Sequence, residues 1–184
     1  MLKKSMIVLL LLLLPLSAVG AEHRLGLTPE ETYRLVQDQG DSLLFIDVRD
    51  PVEIMFTGFT DTVDRNIPLA ITDPFDFVAE HAVFGMNPNK NFIADIDKAL
   101  ADKGLNRDSL IITMCRSGSA RGLPSAEYLM KNGFTNVKFV EHGFQGDPRQ
   151  EGRQRGQRTL NGWQNAGLPW SNRLNPAKIY RQSR

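Results

Sequence analysis

The sequence predicts an α/β domain with a mostly parallel central sheet and helices on both faces. Three observations carry that expectation. Short, mostly apolar runs occur at Leu43–Val48, Leu110–Met114 and Val137–Val140; apolar residues at helical spacing lie between them; and the two patterns alternate along the chain.

Each element has its own signal. Thr28-Pro-Glu-Glu31 is a helix start, with Thr as N-cap, Pro at the first helical position and Glu at the third, and Gly40 stops the helix. Leu43–Val48 follows as a buried strand. Asp50-Pro51 ends it and opens a short helix through Phe56. A short strand is expected around Asn66-Ile-Pro-Leu69, and then comes a polar, aromatic-dotted stretch from Thr72 to Asn91 with no readable period, which looks like an insertion. Phe92, Ile93, Ile96, Ala99 and Leu100 fall at helical spacing, with Gly104 as C-cap. Leu110–Met114 is the next strand. Ala126, Leu129 and Met130 mark a helix ending at Asn132-Gly133, and Val137–Val140 is a further strand. There is no internal repeat.

The N-terminus predicts export. Residues 1–21 begin with Lys3 and Lys4, continue through the apolar run Met6–Leu14 and close on small residues up to Ala21, the pattern of a signal peptide cut before Glu22. The run is short of the roughly 20 residues that span a bilayer. The expected product is periplasmic or secreted, with no membrane attachment once the leader is removed. The formal net charge of the whole chain is +1, which predicts no nucleic-acid partner. Charge is unevenly placed, however. Gly146–Arg184 holds eight basic residues against two acids, so an acidic protein partner at this basic C-terminal segment is one expectation and a solvated basic face the other.

Cys115 is the only cysteine of the chain, so it forms no internal disulfide. It stands at the carboxyl end of an expected central strand, the position where open α/β sheets bind ligands. The loop Cys115-Arg-Ser-Gly-Ser-Ala-Arg121 supplies small side chains that let successive backbone N–H groups converge, and the next helix adds the positive end of its dipole. Arg116 and Arg121 add full positive charge, which favours the nucleophilic thiolate. Cys115 is therefore the expected catalytic residue, and Arg116, Ser117, Gly118, Ser119, Ala120 and Arg121 the expected anion cradle.

Cys115-Arg-Ser-Gly118 after an apolar strand, with Ile46-Asp-Val-Arg-Asp-Pro-Val-Glu53 upstream, resembles the rhodaneses, sulfurtransferases whose loop cysteine carries a persulfide. Asn66–Leu69, Asn132–Val140 and Asn161-Gly-Trp-Gln-Asn-Ala-Gly-Leu-Pro169 follow in the family's order, the last resembling its closing helix. The resemblance implies a rhodanese-like domain over residues 22–170, with an insertion at about 72–91, a basic loop at about 146–159 and a tail at 171–184. It implies transfer of sulfane sulfur from thiosulfate or a persulfide to a thiol or cyanide, with no metal and no organic cofactor. Arg116 and Arg121 would hold the donor's oxygens. Asp47 would lie behind the loop and orient backbone or arginine groups, and Arg49 and Glu53 would hold the turn together.

Besides the insertion and the basic loop, two features depart from the family. Thr57–Arg65 stands where rhodaneses carry a Gly-His-Ile-Pro-Gly-Ala segment, and five residues separate Cys115 from Arg121. That spacing is similar to the cell-cycle phosphatases and arsenate reductases of the same fold. Three readings stay open here: sulfur transfer, a non-catalytic sulfur-carrying or redox-binding module, and oxyanion chemistry. His23, His81 and His142 form no metal-ligand spacing, and Trp163 and Trp170 read as core or rim packing.

Overall fold

β2 (Leu43–Asp47) is buried along its whole length, and both of its edges are paired. A strand in that position needs apolar side chains on both faces, which is why Leu43–Asp47 shows no polar alternation. The computed structural model describes residues 24–181. β1 (Gly26–Leu27), β2, β3 (Arg65–Asn66), β6 (Leu110–Met114) and β7 (Val137–Val140) form one parallel sheet in the order β1-β7-β6-β2-β3. Leu43 pairs with Leu110 and Asp47 with Met114, so the central strands end level.

Helices cover both faces, as expected. Leu44, Ile46 and Val48 face α3 (Phe92–Asp102) and α4 (Gly122–Lys131), packing with Phe92, Ile96, Leu100, Ala126 and Leu129. Leu43 and Phe45 face the other way, toward α1 (Pro29–Gln39) and α2 (Pro51–Thr57), with Tyr33, Ile54 and Trp163. Burying each such side chain contributes about 1.5–3 kcal/mol. Trp163 is fully buried and donates its indole N–H to the carbonyl of Pro169 at 3.0 Å. The Thr28 capping box is present: Thr28 Oγ1 accepts from the Glu31 N–H, and Glu31 accepts from the Thr28 N–H. Among the described residues no helix is long and apolar enough to cross a membrane. The expected leader, residues 1–21, lies outside them.

Two expectations change, and two further segments gain a structure. The strand at Asn66–Leu69 pairs regularly only at Arg65–Asn66, because Pro68 has no N–H to donate; Ile67 and Leu69 still donate to Asp47 and Val48. The unassigned stretch is an antiparallel hairpin of β4 (Ala70–Val78) and β5 (Val83–Pro88), with a register shift between Asp73 and Phe77. The closing helix at Asn161–Pro169 is absent. This segment runs in turns because Gly162 and Gly167 take φ of +87° and +70°, which a helix does not allow. Residues 171–181 of the expected tail lie on the domain: Ser171 bridges Phe59, Lys178 accepts from the Asn66 N–H, and Leu174 and Ile179 pack on the Trp163 side of the core.

Candidate active site

Cys115 follows β6 directly, and the chain there is held from both sides. Val48 N–H reaches the carbonyl of Met114 at 2.8 Å, and Phe144 N–H reaches that of Cys115 at 2.7 Å. The next turn is stapled likewise, with Gln145 N–H donating to the Arg116 carbonyl at 2.9 Å. Two glycines allow so close an approach. Gly118 has φ +82°, and a Cβ there would stand 2.7 Å from the His142 nitrogen; Gly143 has φ +56°, and a Cβ there would overlap the Cys115 carbonyl.

The loop closes on α4. Gly122 begins that helix, and a Cβ added to it would lie 3.6 Å from Cys115 Sγ, so the sulfur rests at the positive end of the helix dipole. The Gly122 carbonyl accepts from Thr113 Oγ1 and Ser125 Oγ, which ties the helix start to β6. Cys115 is fully buried among residues that include Leu44 and Ala126. Of the expected cradle residues, Gly118 is buried, Arg116, Ser117 and Arg121 are half-buried, and Ser119 and Ala120 are exposed on the outside of the loop.

The supporting residues form a chain behind the loop. Asp47 and Arg49 are fully buried, and the Arg49 Nη2 to Asp47 Oδ2 distance is 2.5 Å. The remaining Arg49 donors go to Thr57 Oγ1 and the Gly58 carbonyl. Its guanidinium lies 4.1 Å from the centre of the Phe144 ring, and Phe144 is the residue that holds the Cys115 carbonyl. Asp47 thus orients Arg49 rather than a loop arginine.

Arg116 and Arg121 stand in different surroundings. Arg116 donates through Nε to Gln145 Oε1 at 2.8 Å and faces no acid directly. Burial, and secondarily the neighbouring Arg158, pushes its pKa below the usual arginine value, with Glu53 opposing. Arg121 is the residue before α4, with a side chain only 14% exposed, and Nη2 lies 2.7 Å from Glu53 Oε2. Glu53 therefore reaches across to the loop, where the sequence placed it in its own turn. Arg158 brings the basic segment up to Arg116, and Gln145 and Phe144 join the site from after β7; a single sequence carries no signal for any of these three. His142 sits beside Gly118 with φ +60°, pairs with Asp147 at 2.7 Å and is 46% exposed, while His81 is exposed in the hairpin turn. His23 lies outside the described residues. Among the described residues, no three His, Cys, Asp or Glu side chains gather as a metal site would.

Comparison with known proteins places this architecture. The family model described as "Rhodanese-like domain" matches residues 28–147. The M. tuberculosis protein Rv0390 is similar in structure at TM-score 0.57 and 27% identity, over 80% of this chain and 96% of that one. A thiosulfate sulfurtransferase from Pseudomonas aeruginosa aligns at TM-score 0.50 and 14% identity, over 88% of this chain and 22% of that one. The As-Sb reductase of Leishmania major aligns at TM-score 0.42 and 18% identity, over 64% and 71%. No curated protein matches the sequence.

Proposed function

The chain belongs to the rhodanese-like domain family, and from that premise we propose that it moves sulfane sulfur through a persulfide on Cys115. The observation that carries this reading is the position of the thiol. It lies at the end of the central strand β6, against Gly122 at the start of α4, inside a loop that contains Arg116. The Cys115 thiolate attacks the outer sulfur of a donor such as thiosulfate, the donor's S–S bond breaks, and sulfite leaves with the electron pair. Loop N–H groups and the α4 dipole stabilise the charge that develops there. An acceptor thiolate or cyanide then attacks the outer sulfur, and the electron pair returns to Cys115. Because the thiol is fully buried, a donor reaches it only when the loop or its rim opens, and the same cover shields the persulfide from water. Arg116 and Arg158, which face no acid directly, supply the charge that attracts the anionic donor.

Thiosulfate-to-cyanide turnover tests this reading. Cys115→Ser keeps the size of the side chain but forms no persulfide, and its expected activity is nil; a few per cent retained would remove Cys115 as the nucleophile. The oxyanion reading has one observation in its favour, the inward turn of Arg121 at the end of a five-residue spacing. Hydrolysis of an aryl phosphate or reduction of arsenate by the parent, with no sulfur transfer, would select it. We place the reaction outside the cytoplasm on the leader pattern of residues 1–21, and an exported protein beginning at Glu22 is the expected result of N-terminal sequencing.

A further inference from the structure

Glu53 lies on α2, outside the loop, yet its carboxylate is committed to the loop. Its side chain is 19% exposed, and Oε2 meets Arg121 Nη2 at 2.7 Å. The contact is an ion pair. Arg121 Nη1 and Glu53 Oε1 are buried with no hydrogen-bond partner among the described residues. A guanidinium and a carboxylate usually satisfy each other through two parallel bonds, so this pair has an open donor and an open acceptor beside the residue that precedes Gly122 and the Cys115 sulfur. Glu53 also acts on Arg116, where its field opposes those of Arg121, Arg158 and Arg49. One carboxylate therefore stands among the cations that would receive a donor's negative charge.

We infer that Glu53 is a specificity-determining residue of this site, a fixed negative charge at the anion position on Arg121 that discriminates against dianionic donors in favour of singly charged or neutral ones. The inference rests on the sulfur-transfer reading of Cys115. Its physical basis is that Coulomb energy is proportional to donor charge, so Glu53 penalises thiosulfate about twice as much as a persulfide anion. Arg121 Nη1 is covered in this structure, so it serves a ligand only when the rim over Cys115 opens. Removing the carboxylate without changing its shape should raise affinity for dianions, whereas loss of a purely structural residue lowers function for every donor alike.

The test compares the parent, Glu53→Gln and Glu53→Asp in the Cys115 loading step, with thiosulfate and with the persulfide of 2-mercaptoethanol as donors and intact mass as the readout. For Glu53→Gln the expected result is a half-loading concentration for thiosulfate about tenfold lower, against about threefold for the persulfide. Glu53→Asp keeps the charge and should keep the parent's preference. Calorimetric binding of sulfate and of thiocyanate to the same three proteins gives an arm without sulfur transfer, and Glu53→Gln should shift the ratio toward sulfate. An unchanged donor ratio and an unchanged sulfate-to-thiocyanate ratio overturn the inference, as does an equal loss for both donors. Should neither donor load the parent, the sulfur-transfer reading falls by itself, and the anion ratio still decides the role of Glu53.

Discussion

Arg121 Nη2 stands 2.7 Å from Glu53 Oε2, joining the last residue of the Cys115 loop to the exposed-edge helix α2. The five-residue spacing suggests that Arg121 closes the anion cradle with a free charge, and the structure shows that charge already facing a carboxylate. Arg121→Ala leaves Glu53 half-buried without its cation, a change that costs about 3 kcal/mol. Arg116 has no such partner. Arg116→Ala should lower kcat/KM for thiosulfate by roughly tenfold to a hundredfold, from the loss of a charge-assisted contact worth about 1.5–3 kcal/mol. Urea unfolding and steady-state rates on the two variants check this: Arg121→Ala should show mainly in stability and Arg116→Ala mainly in kinetics.

Arg49 is fully buried, and its removal isolates Asp47, which is fully buried as well. Arg49→Met should destabilise the domain by about 3–5 kcal/mol, and Arg49→Lys should also be costly because one ammonium cannot serve Asp47, Thr57 and Gly58 together. The double variant Arg49→Met with Asp47→Leu should recover part of the loss, since it leaves no buried charge unpaired. Thermal unfolding of the three proteins is the check.

Gly143 and Gly118 meet across the seam between the loop and the segment after β7. A side chain at Gly143 meets both the left-handed backbone, about 1–2 kcal/mol, and the carbonyl of Cys115. Gly143→Ala should therefore abolish Cys115 loading and lower the melting temperature, while Gly152→Ala, at φ +78° with open space around it, should cost only the backbone strain and leave loading intact.

Arg158 reaches the site from the basic segment, and its guanidinium donates to the Gly146 carbonyl. Its positive charge is felt at Arg116, and under the proposed sulfur transfer it helps attract the anionic donor. Arg158→Gln should raise the half-saturating thiosulfate concentration by about threefold to tenfold, and the difference from the parent should shrink as salt is added.

The hairpin β4–β5 presents Phe75 at 97% exposure, with Phe77, Phe84 and Met86 also exposed, and its residues Ile71 and Pro74 help line a cleft of about 530 Å³ with Pro51, Phe56 and Tyr180. Contiguous exposed aromatics promote association. Phe75→Ser with Phe77→Ser should leave the melting temperature within about 2 °C of the parent's in thermal unfolding, because neither ring is in the core.

What could be read in the sequence follows from burial. β2 and β6 are wet on neither face, so their apolar runs Leu43–Ile46 and Leu110–Ile112 are continuous and visible, and Thr28 and Gly104 mark helix ends through local backbone chemistry. The loop from Cys115 to Arg121 was legible because its residues are consecutive. The hairpin was not: Pro74 and the register shift break its alternation, and its side chains face solvent on both sides. Glu53 with Arg121, Arg158 near Arg116, and Phe144 under Arg49 join residues far apart in the chain, and no spacing rule brings them together. The helix expected at Asn161–Pro169 came from resemblance alone, and the positive φ at Gly162 and Gly167 overrides it.

The proposed reaction is sulfur chemistry at one atom, the Cys115 sulfur. Intact-mass measurement of the protein after exposure to thiosulfate, followed by peptide mapping, reads that atom directly. The expected result is the gain of a single sulfur on the peptide containing Cys115, reversed by cyanide or a thiol and missing in Cys115→Ser. An unmodified Cys115 in the folded parent, or a stable adduct that neither acceptor removes, would contradict it.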